Sequence, residues 1–264
     1  MGLALSQLEH CPTGTRLLLA LYASCCGAPA LPNSVGMNVG RVTTALFACC
    51  TANVFTRKQL APLVLSALHR PLCSGSDALL ALTEVQTSVS CLPVVEQELG
   101  SLRFLAWLVT NTAGSNGLFL LLMSLLQKQG RFSAGLRINQ GLWSIALCGL
   151  TQRALDIPNF RTSLLGLMEV PSKWYPFSIA VALSVFSGSI QWETFSAVSF
   201  AYLWWALRLD GVLLPSRDTA RKLEARVPVA GLISLLGGSW IPAVPPGQNA
   251  PHRPRPAGPA RPAA

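Results

Sequence analysis

Apolar stretches separated by short charged turns give this chain its pattern. Residues 17–40 carry no charge, although Pro29, Pro32, Asn33 and Gly36 break their second half. Residues 42–56 are also uncharged but short; the two stretches read either as one span plus a membrane-dipping loop or as two spans. Residues 60–95 are interrupted by HRPLCSGSD, whose first part reads as a half-buried loop, and then continue from Asp77 as a second span. Glu84 lies inside that span and is expected to face the bundle interior, because an ionisable group facing lipid is costly. Residues 104–127 form the clearest span, 24 residues without a charge, where a helix crossing the hydrocarbon core needs about 20. Residues 138–152, 174–192 and 194–207 follow as shorter fourth, fifth and sixth spans, the fifth opened by the basic and aromatic anchor KWYP. The expectation is an all-α polytopic membrane protein built as a six-helix bundle.

Between the second and third spans stands VVEQELGSLRFLAWLV, with Glu96, Glu98 and Arg103 grouped around Gly100 and Ser101. The pattern predicts a tight turn at the membrane surface, where water accommodates the charges. After Arg208 the chain becomes mixed and charged. Residues 211–241 read as a cytosolic or interfacial segment with a short interfacial helix, and residues 242–264, holding eight Pro and three Arg, as a disordered tail. The membrane domain covers residues 15–210, after an N-terminal segment, 1–14.

Composition sharpens this picture. Charged residues make up 12% of the chain and apolar residues 51%, whereas a water-soluble domain carries roughly 25% charge. A soluble chain this poor in charge lacks the polar surface to cover its core. The net charge of +9 does not point to nucleic acid, because Lys and Arg are scattered between apolar runs and not clustered on one face. Topology accounts for them: six spans place both termini on one side, and taking it as cytosolic puts thirteen of the twenty Lys and Arg inside. Lys128, Arg131 and Arg137, on the outer side, run against that assignment. The adjacent pairs Cys25-Cys26 and Cys49-Cys50 sit inside apolar runs and read as packing residues, with acylation near a membrane face as the weaker alternative. Arg16 before LLLALYASCCGAPA resembles a secretory signal, but a single Arg is a poor positive region and an uncleaved first span is the better reading.

The join EQELGSLRFL runs from an acidic pair through Gly-Ser to an Arg and an aromatic that opens the next span. It resembles the link between the second and third membrane helices of the rhomboid superfamily. LAPLVLSALHRPLCSGSDALLALTEV resembles the rhomboid first loop and second helix, with His69-Arg70 where a Trp-Arg pair is usual. The resemblance covers roughly residues 17–207 and looks most like the endoplasmic-reticulum pseudoproteases, meaning derlins and ubiquitin-associated-domain rhomboid-like proteins. It implies residence in the endoplasmic reticulum, or the Golgi, with a cytosolic C-terminus. The short, Pro-rich tail is not expected to hold a folded ubiquitin-associated domain, and it shows no derlin-type motif for the segregase ATPase.

An active rhomboid needs a Ser nucleophile on the fourth helix and a His base on the sixth, since a Ser hydroxyl attacks only when a base within about 3 Å takes its proton. In RINQGLWSIALCGL, Gln140-Gly141 stands where the resemblance implies Ser-Gly, and an amide is no nucleophile. The three His are His10, His69 and His252, so the fourth and sixth spans contain no imidazole in any register. His69 reads as an interfacial side chain. Asp77 and Ala81 occupy the places of the His and Asn that help hold the oxyanion. AGSNGL superficially resembles the Ser motif, but it lies in the third span and reads as close helix packing. Ser187-Gly188-Ser189 reads as a packing or turn element. No phosphate loop, dinucleotide fingerprint or metal cluster occurs, and no cofactor is expected.

Two functions follow. The resemblance implies a catalytically inactive protein that binds transmembrane clients for quality control, including endoplasmic-reticulum-associated degradation, or for retention or trafficking. Spans of 14 to 15 residues cover about 21 to 23 Å of a core about 30 Å thick, which thins the surrounding lipid. The tail would dock a cytosolic adaptor, or lie on anionic lipid through Arg217, Arg221, Lys222 and Arg226. The alternative is a small transporter or channel built on Glu84, with Glu193 as a second acidic group; the sequence offers Glu84 no basic partner.

Overall fold

The computed structural model describes residues 11–27, 47–70, 75–164, 166, 168–226 and 240–242. Most of the N-terminal segment, the second half of the first apolar stretch, His10, Cys73, His252 and the Pro-rich tail after Pro242 lie outside these residues. So does the question whether residues 42–56 are a separate span, of which only 47–56 are described.

Among the described residues helix α1 (Thr13–Gly27) comes first, and α2 (Pro62–Leu65) is one turn within an irregular stretch. The two longest helices follow, α3 (Gly75–Leu99) and α4 (Ser101–Lys128), then α5 (Trp143–Asp156), α6 (Tyr175–Phe186), α7 (Trp192–Ala206) and the short α8 (Asp210–Leu213) and α9 (Arg217–Glu224). Helix makes up 73% of the interpretable residues, so the class is mostly helical. Among the described residues two helices, α3 from Ala78 and α4, are long and apolar enough to cross a membrane; α7 with α8 and α9 counts as a third if a bend of 84° is accepted within one span. At 1.5 Å per residue, the 14 residues of α5 reach about 21 Å.

The all-α expectation needs a correction. Strands β1 (Arg161–Leu164) and β2 (Met168–Pro171) form an antiparallel hairpin between α5 and α6, pairing Arg161 with Pro171 and Leu164 with Met168. At four residues each, RTSL and MEVP are too short for alternation to announce them.

The core centres on α5. Its Ile145, Ala146, Leu147 and Cys148 are fully buried, and the helix packs on α7, α3 and α4. Leu92 of α3, Phe104 and Trp107 of α4, and Trp204 of α7 close around it. At the crossing of α4 and α7, a Cβ on Gly114 would lie 2.0 Å from the Phe200 ring, so the ring occupies the space a side chain at position 114 would need. Gly117, one turn on, has open space beside it. Cys26, Cys49 and Cys50 are buried, where an acyl chain has no access.

Candidate functional site

α3 turns Glu84 inward until only 2% of it is exposed. A buried carboxylate is tolerated only when it is paired and hydrogen-bonded, and Glu84 is both. Tyr22 of α1 donates its hydroxyl to Oε2 at 2.5 Å, and the backbone N–H of Leu142, at the head of α5, donates to the same oxygen at 3.2 Å. Arg70 donates to Oε1 from Nε at 2.9 Å and also from Nη2. The expectation that Glu84 lacks a basic partner is thereby corrected: Arg70 forms an ion pair with it. Gly141 completes the arrangement. It has φ +90°, and a Cβ there would come within 2.7 Å of both carboxylate oxygens. Its backbone N–H donates to the Ser66 carbonyl at 3.0 Å, which ties the loop before α5 to the turn after α2.

The Arg70–Glu84 pair lines a cavity of about 500 Å³ between α3, α5, α6 and α7. Leu80 and Thr83 of α3 form one wall, and Leu183 of α6 with Ser187 just after it another. Trp143 and Ser144 of α5, with Asn139 and Gln140 before them, form the floor, and Gln191, Glu193 and Thr194 close the α7 side. α6 packs on α5 and α7 but at most marginally on α3. Of the apolar lining residues, Leu80 of α3 and Ile138 before α5 are exposed, and Leu183 of α6 is half-buried. Ser187 and Gly188 (φ +63°) form the turn after α6, where Gln191 Nε2 donates to Ser187 Oγ at 2.8 Å.

The surface-turn reading of Glu96 is overturned. Glu96 is 0% exposed. It accepts hydrogen bonds from the backbone N–H groups of Gly14 (2.8 Å) and Thr15 (2.7 Å), from Thr15 Oγ1 (2.8 Å) and from Ser101 Oγ (2.5 Å). It therefore caps the N-terminus of α1, where unpaired amides and the helix dipole favour an anion. Ser101 also exchanges two hydrogen bonds with the backbone of Ile241, which brings residues 240–242 back to the α3–α4 join. Gly100 makes the break between the two helices at φ +82°. Glu98 is exposed and borders a smaller cavity with Arg153, Asp156 and Trp204.

Asn116, in the AGSNGL stretch of α4, is buried and polar rather than a packing residue. Its Nδ2 donates to the Leu63 carbonyl at 2.7 Å and to Ser66 Oγ at 2.8 Å, and its Oδ1 accepts from Asn139 Nδ2 at 2.7 Å. This triad holds α2 and the loop before α5 to α4.

His69 is not interfacial. It is 3% exposed, its Nδ1 lies 3.1 Å from the Cys25 carbonyl and its ring centroid 5.2 Å from that of Phe47. A carbonyl only accepts, so Nδ1 carries the proton. Ala81 is half-buried on α3 and Gln140 half-buried at the cavity floor. Asp77 lies in the first turn of α3, and its side chain is outside the described residues. The structure thus joins Arg70, Glu84, Gln140, Gly141 and Glu193 in one place and puts Glu96, Glu98 and Gly100 at another. Tyr22 and the Leu142 amide were not legible as members of the first group. Among the described residues no three His, Cys, Asp or Glu side chains come together as a metal site requires. No family model matches this chain, and no curated protein or solved structure shows significant similarity to it.

Proposed function

We propose that this chain is a catalytically inactive, rhomboid-like membrane protein of six helices that holds transmembrane segments of client proteins in endoplasmic-reticulum or Golgi membranes, for quality control, retention or trafficking. The observation that carries the reading is the cavity between α3 and α6. Its lining combines the exposed apolar Leu80 and Ile138 and the half-buried Leu183 with the polar Asn139, Gln140 and Ser144, which suits a helix entering sideways from lipid. The short helices α5 and α6 favour locally thin lipid around that entrance.

Peptide-bond hydrolysis fits these residues poorly. Thr83, Ser144, Ser187 and Thr194 bring hydroxyls to the cavity, but its lining residues include no imidazole. An unactivated hydroxyl is a weak nucleophile. His69 is engaged with the Cys25 carbonyl. Ion transport through Glu84 is also disfavoured. A relay carboxylate must exchange partners, whereas Glu84 is held by Tyr22, Arg70 and the Leu142 amide.

The test is a photoreactive amino acid placed at Leu80 or Leu183 in the full chain, reconstituted in liposomes. Transmembrane peptides are expected to be captured intact from both positions, and not from a probe at Arg161 on the exposed hairpin. Cleavage of the peptide, labelling by a serine-directed fluorophosphonate, or a proton flux abolished by Glu84→Gln would overturn the reading.

A further inference from the structure

Where α9 packs on α4, two guanidinium groups are held close together. Arg103, in the first turn of α4, is half-buried and donates from Nε to the Pro215 carbonyl at 3.1 Å, two residues before Arg217 opens α9. Arg217 is exposed and near enough for the two charges to repel. Arg221, also exposed, lies four residues on and so beside Arg217 on the helix surface. Asp210 is the carboxylate that acts on Arg103, and it accepts a hydrogen bond from Trp204 Nε1 at 2.5 Å. Asp218 is exposed and Glu224 buried, and neither forms an ion pair with these arginines among the described residues. Arg103 and residues 208–226 together hold six cations and three carboxylates, so the corner carries a surplus of positive charge.

The corner also stands at membrane-surface height. α4 is long and apolar enough to cross a membrane, which brings its first turn to the level of the lipid headgroups. α7 packs on α4, and the Asp210–Glu224 segment leaves α7 at 84°, so α9 runs across the end of the bundle. Val212 and Leu213 of α8 are exposed just ahead of it, a cost in water that acyl chains remove. We infer that Arg103, Arg217 and Arg221 form a binding site for the headgroup of an anionic phospholipid of the surrounding bilayer. Guanidinium groups give phosphate oxygens paired, charge-assisted hydrogen bonds, and an anion between Arg103 and Arg217 replaces their repulsion with attraction. A zwitterionic lipid brings a cation of its own to the same place and is disfavoured. This inference needs the chain to lie in a membrane and does not depend on what the cavity holds.

The experiment immobilises the full chain in detergent and offers it fluorescent phosphatidic acid or phosphatidylcholine with the same acyl chains. Phosphatidic acid is expected to be retained in preference, less so as sodium chloride is raised. Arg217→Gln, at an exposed position where the fold tolerates change, should cut its retention about fivefold, the ratio given by about 1 kcal/mol for one basic residue. Arg217→Lys should restore part of the loss, and Arg103→Gln with Arg217→Gln should abolish the preference. Arg131→Gln, beyond the other end of α4, should change nothing. Equal retention of the two lipids by the unaltered protein would overturn the inference, as would an undiminished preference in Arg217→Gln and in the double variant. Displacement of the labelled lipid by an equal concentration of inorganic phosphate would assign the arginines to a soluble anion and overturn the lipid identity.

Discussion

Gly141 faces the Glu84 carboxylate so closely that a Cβ at this position would lie 2.7 Å from each of its oxygens. Gly141→Ala therefore meets two obstacles. The backbone sits at φ +90°, where a side chain costs about 1–3 kcal/mol. The methyl group must also push the carboxylate away from the Tyr22 hydroxyl and the Arg70 guanidinium. Thermal unfolding in detergent is expected to show a clear drop in midpoint. Gly117→Ala, made in open space on α4, is expected to leave the midpoint unchanged or raise it, since helix propensity favours Ala by up to about 1 kcal/mol. Equal effects at the two positions would contradict the packing described for Gly141.

Glu96 is expected to be needed for α1 and not for solubility. Glu96→Ala strands the amides of Gly14 and Thr15 in a buried place, and each lost bond to a charged acceptor costs roughly 1.5–3 kcal/mol. Glu96→Gln keeps an acceptor and should lose less. Hydrogen exchange read by mass spectrometry should show protection falling first in the opening turn of α1. Glu98→Ala, at an exposed position in the same acidic pair, should leave that turn protected.

The contact of Gly114 with Phe200 can be tested by compensation. Gly114→Ala places a methyl where the ring already is, forcing α4 and α7 apart at about 1–3 kcal/mol. Adding Phe200→Ala removes the obstacle, so the double variant should be more stable than the sum of the single changes predicts. Additive losses would mean that the two residues do not meet.

His69 gives the stability a pH dependence. Burial pushes its imidazole below the ordinary value, with the Cys25 carbonyl partly opposing. As pH falls below about 6.5, the unfolded chain takes up the proton before the folded one does. Unfolding then gains free energy, so this contribution is full above that pH and shrinks below it, down to the depressed folded value. Melting midpoints measured from about pH 7.5 to about 5.5 should fall more steeply for the unaltered protein than for His69→Gln.

The sequence carried the long helices plainly. The uncharged run 104–127 sits inside α4 (Ser101–Lys128), and the Gly100 break falls where EQELGSLRFL suggests a join. It carried the inward direction of Glu84 for a sound reason, the cost of a carboxylate facing lipid. What it hid depends on distant chain segments. Nothing in helical periodicity links Arg70 to Glu84, fourteen residues apart, or Tyr22 to it from α1. The rule that charges go to water failed at Glu96 because a helix N-terminus offers the carboxylate a different set of donors. Asn116 looked like part of a small-residue packing stretch because its partners come from distant segments: Leu63 from α2, Ser66 from the turn after it and Asn139 from the loop before α5.

The cap on α1 also sets an order of events during biogenesis. The chain is made from the N-terminus, and the amide of Gly14 emerges 82 residues ahead of the carboxylate that receives it. Until Glu96 arrives, the leading end of α1 must be satisfied by water, lipid headgroups or the insertion machinery. Maturation of that helix is therefore a late step, triggered when the α3–α4 join docks beneath it.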